Sequence, residues 1–146
     1  MLDDSCFRLS STEIRSAEFE IRTKIPIGSK VGNRYDLEER AEAFARRVRD
    51  FIRELPKELT NVEYSRQLVR ASGSIGANYI EANEALSKKD FLMRIKISRK
   101  ESKESRFWLR LIAPSVGQAQ EQEALIKEAT ELMLILGAIL RNAQKG

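Results

Sequence analysis

Residues 60–86 read TNVEYSRQLVRASGSIGANYIEANEAL. Within them Tyr64, Leu68, Ala71, Ile75, Tyr79, Ala82 and Leu86 recur at steps of three and four. At 100° per residue they form one apolar stripe of an α-helix. Thr60, with Glu63 three residues on, has the spacing of a capping box and marks the expected start. Beside the stripe lies a second face of small and apolar residues: Val62, Ser65, Val69, Ser72, Gly73, Gly76, Ile80 and Asn83. Only a thin edge, Glu63, Gln67, Arg70, Ser74 and Glu81, is polar. A helix with two such faces needs partners on both sides. Gly73 and Gly76 each cost about 1 kcal/mol against alanine in a helix interior, and close approach of another helix would offset that cost. Ser72, Gly73, Gly76 and Ile80 are therefore the candidate surface for close helix packing or oligomer contacts.

Upstream, Asp36 and Glu39 repeat the capping-box spacing. Leu37, Ala41, Phe44, Val48, Phe51 and Leu55 follow on one stripe until Pro56, with Glu42, Arg46, Arg49 and Arg53 on the opposite face. Downstream, Ser87 is an N-cap with Asp90 at the third position. Phe91, Ile95, Ser98, Ser102, Ser105 and Leu109 share a face whose middle is serine, small enough to lie against the Gly/Ser face of the preceding helix. Met93, Ile97, Trp108 and Leu111 cover a second side, and Pro114 ends the helix. A fourth helix from about Gln120 to Ala143 has the core stripe Leu125, Ala129, Leu132, Leu136, Ile139 and Ala143. Its run Leu132–Leu140 is apolar all round, so its outer side should also be covered. Short connections favour antiparallel neighbours. The prediction is an all-α, antiparallel up-down-up-down four-helix bundle over residues 34–146. Residues 1–33, rich in Ser and Thr and broken by Pro26, Gly28 and Gly32, read as a weakly ordered N-terminal arm with one short helix, Thr12–Arg22.

The chain has 146 residues, one cysteine and no histidine. The length suits a single bundle with a real core. Zero histidines exclude Ser-His-Asp and Cys-His catalysis and leave no Cys/His zinc site. Cys6 lies in the arm away from any base, so a nucleophile is not expected there. Glu81 and Glu84, at i and i+3, lack the histidines that a bundle di-iron site uses. No metal, no cofactor and no enzymatic activity are expected. A lone cysteine forms no internal disulfide. The start Met1-Leu2-Asp3-Asp4 is acidic where a signal peptide is basic, and the Leu132–Leu140 run is too short to span a bilayer. A cytoplasmic protein with no membrane partner is the expectation.

Charge is where the sequence departs most from a plain bundle. The total is +4, and residues 88–113 hold nine basic against three acidic residues, while every other segment balances to within one charge. Lys89, Lys96, Arg99, Lys100, Lys103, Arg106 and Arg110 fall within one arc of about 120° on the third helix. Phe107 and Leu92 interleave with them, and no carboxylate shares the arc. Such a row suits a phosphate backbone. The competing reading is a solvated face neutralised by acidic neighbours such as those of the fourth helix.

Three stretches carry a resemblance: YDLEERAEAFARRVRDFIRELP at 35–56, RASGSIGANYIEANEALSKKDF at 70–91 and RKESKESRFWLRL at 99–111. Between Tyr35 and Ile112 the chain resembles the bacterial four-helix-bundle proteins encoded in intervening sequences of 23S ribosomal RNA genes, the S23 family. The fourth helix fits by pattern rather than by motif, and residues 1–33 have no counterpart. The resemblance implies a ring, typically a homopentamer. It also implies kinship with the accessory variability proteins of diversity-generating retroelements, basic pentamers that partner RNA and reverse transcriptase. No enzymatic activity is known for the family. The sequence thus leads to a non-enzymatic ring that binds structured RNA or another polyanion through its third helix. The alternative is a scaffold that docks an acidic protein partner on the same basic arc.

Overall fold

The computed structural model describes residues 37–146. These form an all-α, antiparallel up-down-up-down bundle: α1 Leu37–Arg53, α2 Leu59–Asn83, α3 Lys88–Leu111, a single 3-10 turn Val116–Gln118, and α4 Ala119–Lys145. The arm, its Thr12–Arg22 helix, Cys6 and the Asp36 cap lie outside the described residues.

In α1 the whole expected stripe, Leu37, Ala41, Phe44, Val48, Phe51 and Leu55, is buried, and Glu42, Arg46, Arg49 and Arg53 are exposed. The helix unwinds before Pro56, whose ring disfavours a helical conformation in the residue ahead of it. Glu54 and Leu55 keep short turn bonds, their N–H groups donating to the carbonyls of Phe51 and Ile52.

α2 begins two residues earlier than its capping-box spacing implies. Glu58 is the N-cap, with an extended backbone and no side-chain cap bond, and its carbonyl accepts from the Val62 N–H at 2.9 Å. Thr60 is therefore already inside the helix. The stripe from Leu68 through Ala82 is buried, with Tyr64 half-buried at its start. Leu86 does not join it: α2 stops at Asn83, so helical spacing no longer applies, and Leu86 is 74% exposed while Ala85 takes the core position.

The Ser87 cap is made, its hydroxyl accepting from the Asp90 N–H at 3.1 Å. The serine face of α3 is buried at Ser98, Ser102 and Ser105. Ser102 and Ser105 donate to carbonyls one turn back, at Ser98 and Glu101. Ser98 instead donates across to the Ile75 carbonyl of α2, 2.7 Å away. The serine face thus lies close on α2, but the backbone it meets is that of Ile75. Gly76 serves a different contact: a Cβ there would lie 3.4 Å from the Cβ of Ala41 on α1. Gly73 meets nothing within 4 Å, so the two glycines do not share one packed face.

Side-chain amides fasten one end of the bundle. Asn61 donates to the carbonyls of Pro56 (3.1 Å) and Ala113 (2.8 Å) and accepts from the Ala113 N–H (3.0 Å). Gln118 donates to the Phe51 carbonyl at 2.9 Å. Gln122 donates to the carbonyls of Leu109 and Ile112 at 2.7 and 2.8 Å. Each satisfies carbonyls that a helix end or loop leaves without intrahelical partners. In α4 every residue from Ile135 to Leu140 is buried. Its apolar run is covered within the chain, leaving Leu134 at 38% exposure. The cover expected over its outer side thus comes from the same chain, whereas Leu59, Val62, Val69 and Ile80 of α2 stay exposed.

Candidate nucleic-acid interface

Ser87 starts α3, Pro114 follows its end, and the buried face of Phe91, Ile95, Ser98, Ser102, Ser105 and Leu109 fixes its rotation. That rotation turns Lys89, Lys96, Arg99, Lys100, Lys103 and Arg110 outward as exposed side chains, with Arg106 half-buried at the edge. The row runs for about 30 Å along the helix. Phe107 stands among them, 53% exposed. Its ring meets Trp108 edge-on at 4.9 Å, and Trp108 stacks on Tyr64 of α2 at 5.9 Å. Trp108 and Tyr64 pack against the core, so Phe107 is an outward ring on a fixed base.

Among the described residues no ion pair joins a carboxylate of α4 to the row. Glu128 and Glu131 both bind Arg40 of α1, at 2.7 and 2.5 Å, and Glu121 binds Arg47 of α1 at 3.0 Å. Burial disfavours the charged Arg40 guanidinium, but the bonds and charges of Glu128 and Glu131 outweigh it and hold its pKa above the usual arginine value. Three of the four carboxylates of α4 are thus committed to the α1 side, and the fourth, Glu123, is exposed without an ion pair among the described residues. Among the seven cations of the arc, Lys100 alone has an ion pair among the described residues, with Glu104 at 3.5 Å on the same helix. An exposed pair of this kind contributes about 0.3–0.5 kcal/mol and leaves the row cationic. At its border, partial burial and then the charge of Glu104 raise the pKa of Glu101.

The candidate packing residues do not act as a unit. Ser72 is buried with its hydroxyl donating to the Val69 carbonyl, Gly76 faces Ala41, Gly73 is open, and Ile80 is 44% exposed. With Leu59 (78%), Val62 and Val69, Ile80 makes an uncovered apolar line on α2. A groove of about 640 Å³ opens beside it, lined by Ile52, Leu55, Pro56, Val62 and Val69. Glu81 and Glu84 are both exposed.

Sequence reasoning missed Arg141. It stands on α4 beside Arg99 of α3, the two meeting over Gly137. The signal was a glycine inside an apolar helix with an arginine one turn later. What the sequence alone lacked was the register between α3 and α4.

The model of the 23S rRNA-intervening sequence protein family matches residues 33–138. The chain belongs to that family. The match reaches well into α4, beyond the stretches whose motifs resembled the family. A solved member of the S23 ribosomal protein family from Bacteroides thetaiotaomicron, described as a protein of unknown function, is 29% identical and aligns at a TM-score of 0.63. The alignment covers 72% of this chain and 95% of that one. No curated protein matches. No helix among the described residues is long and apolar enough to cross a membrane.

Proposed function

We propose that this family member is a non-enzymatic, ring-forming bundle that binds structured RNA through the cation row of α3. The observation that carries this is the row itself: seven cations in one arc, with Glu121, Glu128 and Glu131 of α4 paired to arginines of α1 instead. Evenly placed cations contact phosphates, which position a protein on nucleic acid without reading its sequence. The uncovered line of Leu59, Val62, Val69 and Ile80 supports self-association, since apolar lines of this extent are unusual on monomers. A homopentamer would repeat the row five times and give multivalent contact with one long RNA.

The test is a pair of variants with the same change in net charge. Lys96→Glu, Lys100→Glu and Lys103→Glu together should weaken binding to unrelated structured RNAs alike. They should also flatten the log–log salt dependence by up to about three units, one per lost phosphate contact. Arg46→Glu, Arg49→Glu and Arg53→Glu on the exposed face of α1 should do much less. Equal losses would reduce the effect to global charge and remove the α3 site. Light scattering of the wild type should return a multiple of the chain mass; a monomer at micromolar concentration would remove the ring. Phe107, an exposed ring among the cations, favours one second reading, an acidic protein docked on the same arc. No RNA binding at about 100 mM salt would move that reading ahead.

A further inference from the structure

Over Gly137 cations of two helices, α3 and α4, converge. A Cβ built on it would lie 3.5 Å from Nη1 of Arg141 and 3.6 Å from Nε of Arg99. Both arginines are exposed, and neither has an ion pair or hydrogen bond among the described residues. The two nitrogens are at most about 7 Å apart, a span that two N–H···O bonds of about 2.8 Å to two oxygens of one phosphate can bridge. Two guanidiniums held together without a counter-charge repel each other, and an anion between them relieves that repulsion. The nearest carboxylates of α4, Glu128 and Glu131, are occupied by Arg40 on the far side. Glu123 is about 20 Å away along the helix from Gly137. A side chain at position 137 would fill the space over which the arginine stems lie; glycine leaves it free.

We propose that Arg99 and Arg141, set over Gly137 at the α3–α4 seam, form a seat for a phosphate group. This deepens the polyanion reading, on which it rests for its RNA arm: the nucleic acid is held across two helices, and the seam is where a phosphate is gripped from two sides. The lysines of the α3 row offer point charges, and Arg106 and Arg110 stand on that one helix. This position offers two planar, multi-donor groups suited to phosphate geometry. The chemistry recognised is a phosphate, whether of a nucleic-acid backbone or of a free di- or triphosphate.

Arg141→Gln and Lys127→Gln remove the same charge from exposed positions of α4, but only the first touches the seat. Titration with a structured RNA should show Arg141→Gln losing about three- to tenfold in affinity and about one unit of salt slope. Lys127→Gln should lose less than twofold. If the two variants lose equally, the seat is wrong while the α3 row can stand. A second arm uses inorganic pyrophosphate alone at matched ionic strength. It should raise the melting temperature of the wild type by binding the folded state and leave that of Arg141→Gln unchanged. If wild type binds no RNA but pyrophosphate still discriminates the variants, the seat serves free phosphates and the RNA reading fails. If pyrophosphate fails to discriminate as well, the seat is overturned.

Discussion

The hydroxyl of Ser98 on α3 donates to the main-chain carbonyl of Ile75 on α2 across 2.7 Å. A side-chain atom can reach a neighbouring helix backbone in this way only where no larger side chain intervenes. Ser98 is fully buried, so it sets the spacing of the two helices. Ser98→Ala should cost about 0.5–1.5 kcal/mol, the net worth of one hydrogen bond, because the Ile75 carbonyl keeps its helical partner. Ser98→Leu should cost at least about 1–3 kcal/mol by wedging α2 from α3. Urea melts of the two variants check this; a leucine variant as stable as the alanine one would mean that the helices separate freely.

The two glycines of α2 should answer oppositely to substitution. Gly76 faces Ala41, so Gly76→Leu overpacks the α1–α2 contact and should destabilise by about 1–3 kcal/mol or more. The neighbouring Ala77 is exposed, and Ala77→Leu should change little. Gly73 has open space around it, so Gly73→Ala should stabilise by about 0.5–1 kcal/mol through helix propensity. Thermal melts of the three variants decide it, with mass measurements showing whether a subunit contact at Gly73 reverses the last sign.

Glu101 should make stability respond to pH. Partial burial and the charge of Glu104 raise its pKa in the folded chain, so the folded state binds its proton more tightly than the unfolded one. The ionised form is therefore the unfavourable one in the fold. Its cost is present at neutral pH and disappears as pH falls through the raised value and then below the ordinary carboxylate value. Glu101→Gln should melt above wild type at pH 7, and the gap should close on acidification. A gap independent of pH would assign the effect to something other than ionisation.

Local signals were enough for much of this molecule. The α1 stripe and the Ser87 cap are set by near neighbours in the chain, and both are found where spacing put them. The serine face of α3 was legible as a close contact, but its partner was not: α2 rotates so that Ile75, rather than Gly73 or Gly76, meets Ser98. Leu86 fell outside because periodicity says nothing about where a helix stops. The all-apolar run of α4 read as needing cover, but a sequence does not show that neighbours within the same chain supply it. The cation row was legible as an arc, while its lack of counter-charge was not. Part of that lack follows from Arg40 and Arg47 drawing Glu121, Glu128 and Glu131 of α4 to α1, a preference decided only once the helices are side by side.

Asn61, Gln118 and Gln122 all work at the same end of the bundle, where the α1–α2 and α3–α4 connections meet. All four helices are tied there through three uncharged side chains. The opposite end has the α2–α3 turn and the C-terminus of α4, and its ties are charged: Lys88 donates to the Gly146 carbonyl, and Arg40 near the start of α1 pairs with Glu128 and Glu131. Because the amide clasp carries no charge while the far end is held by charged groups, salt and acid should loosen the Ser87 end first and leave the amides in place.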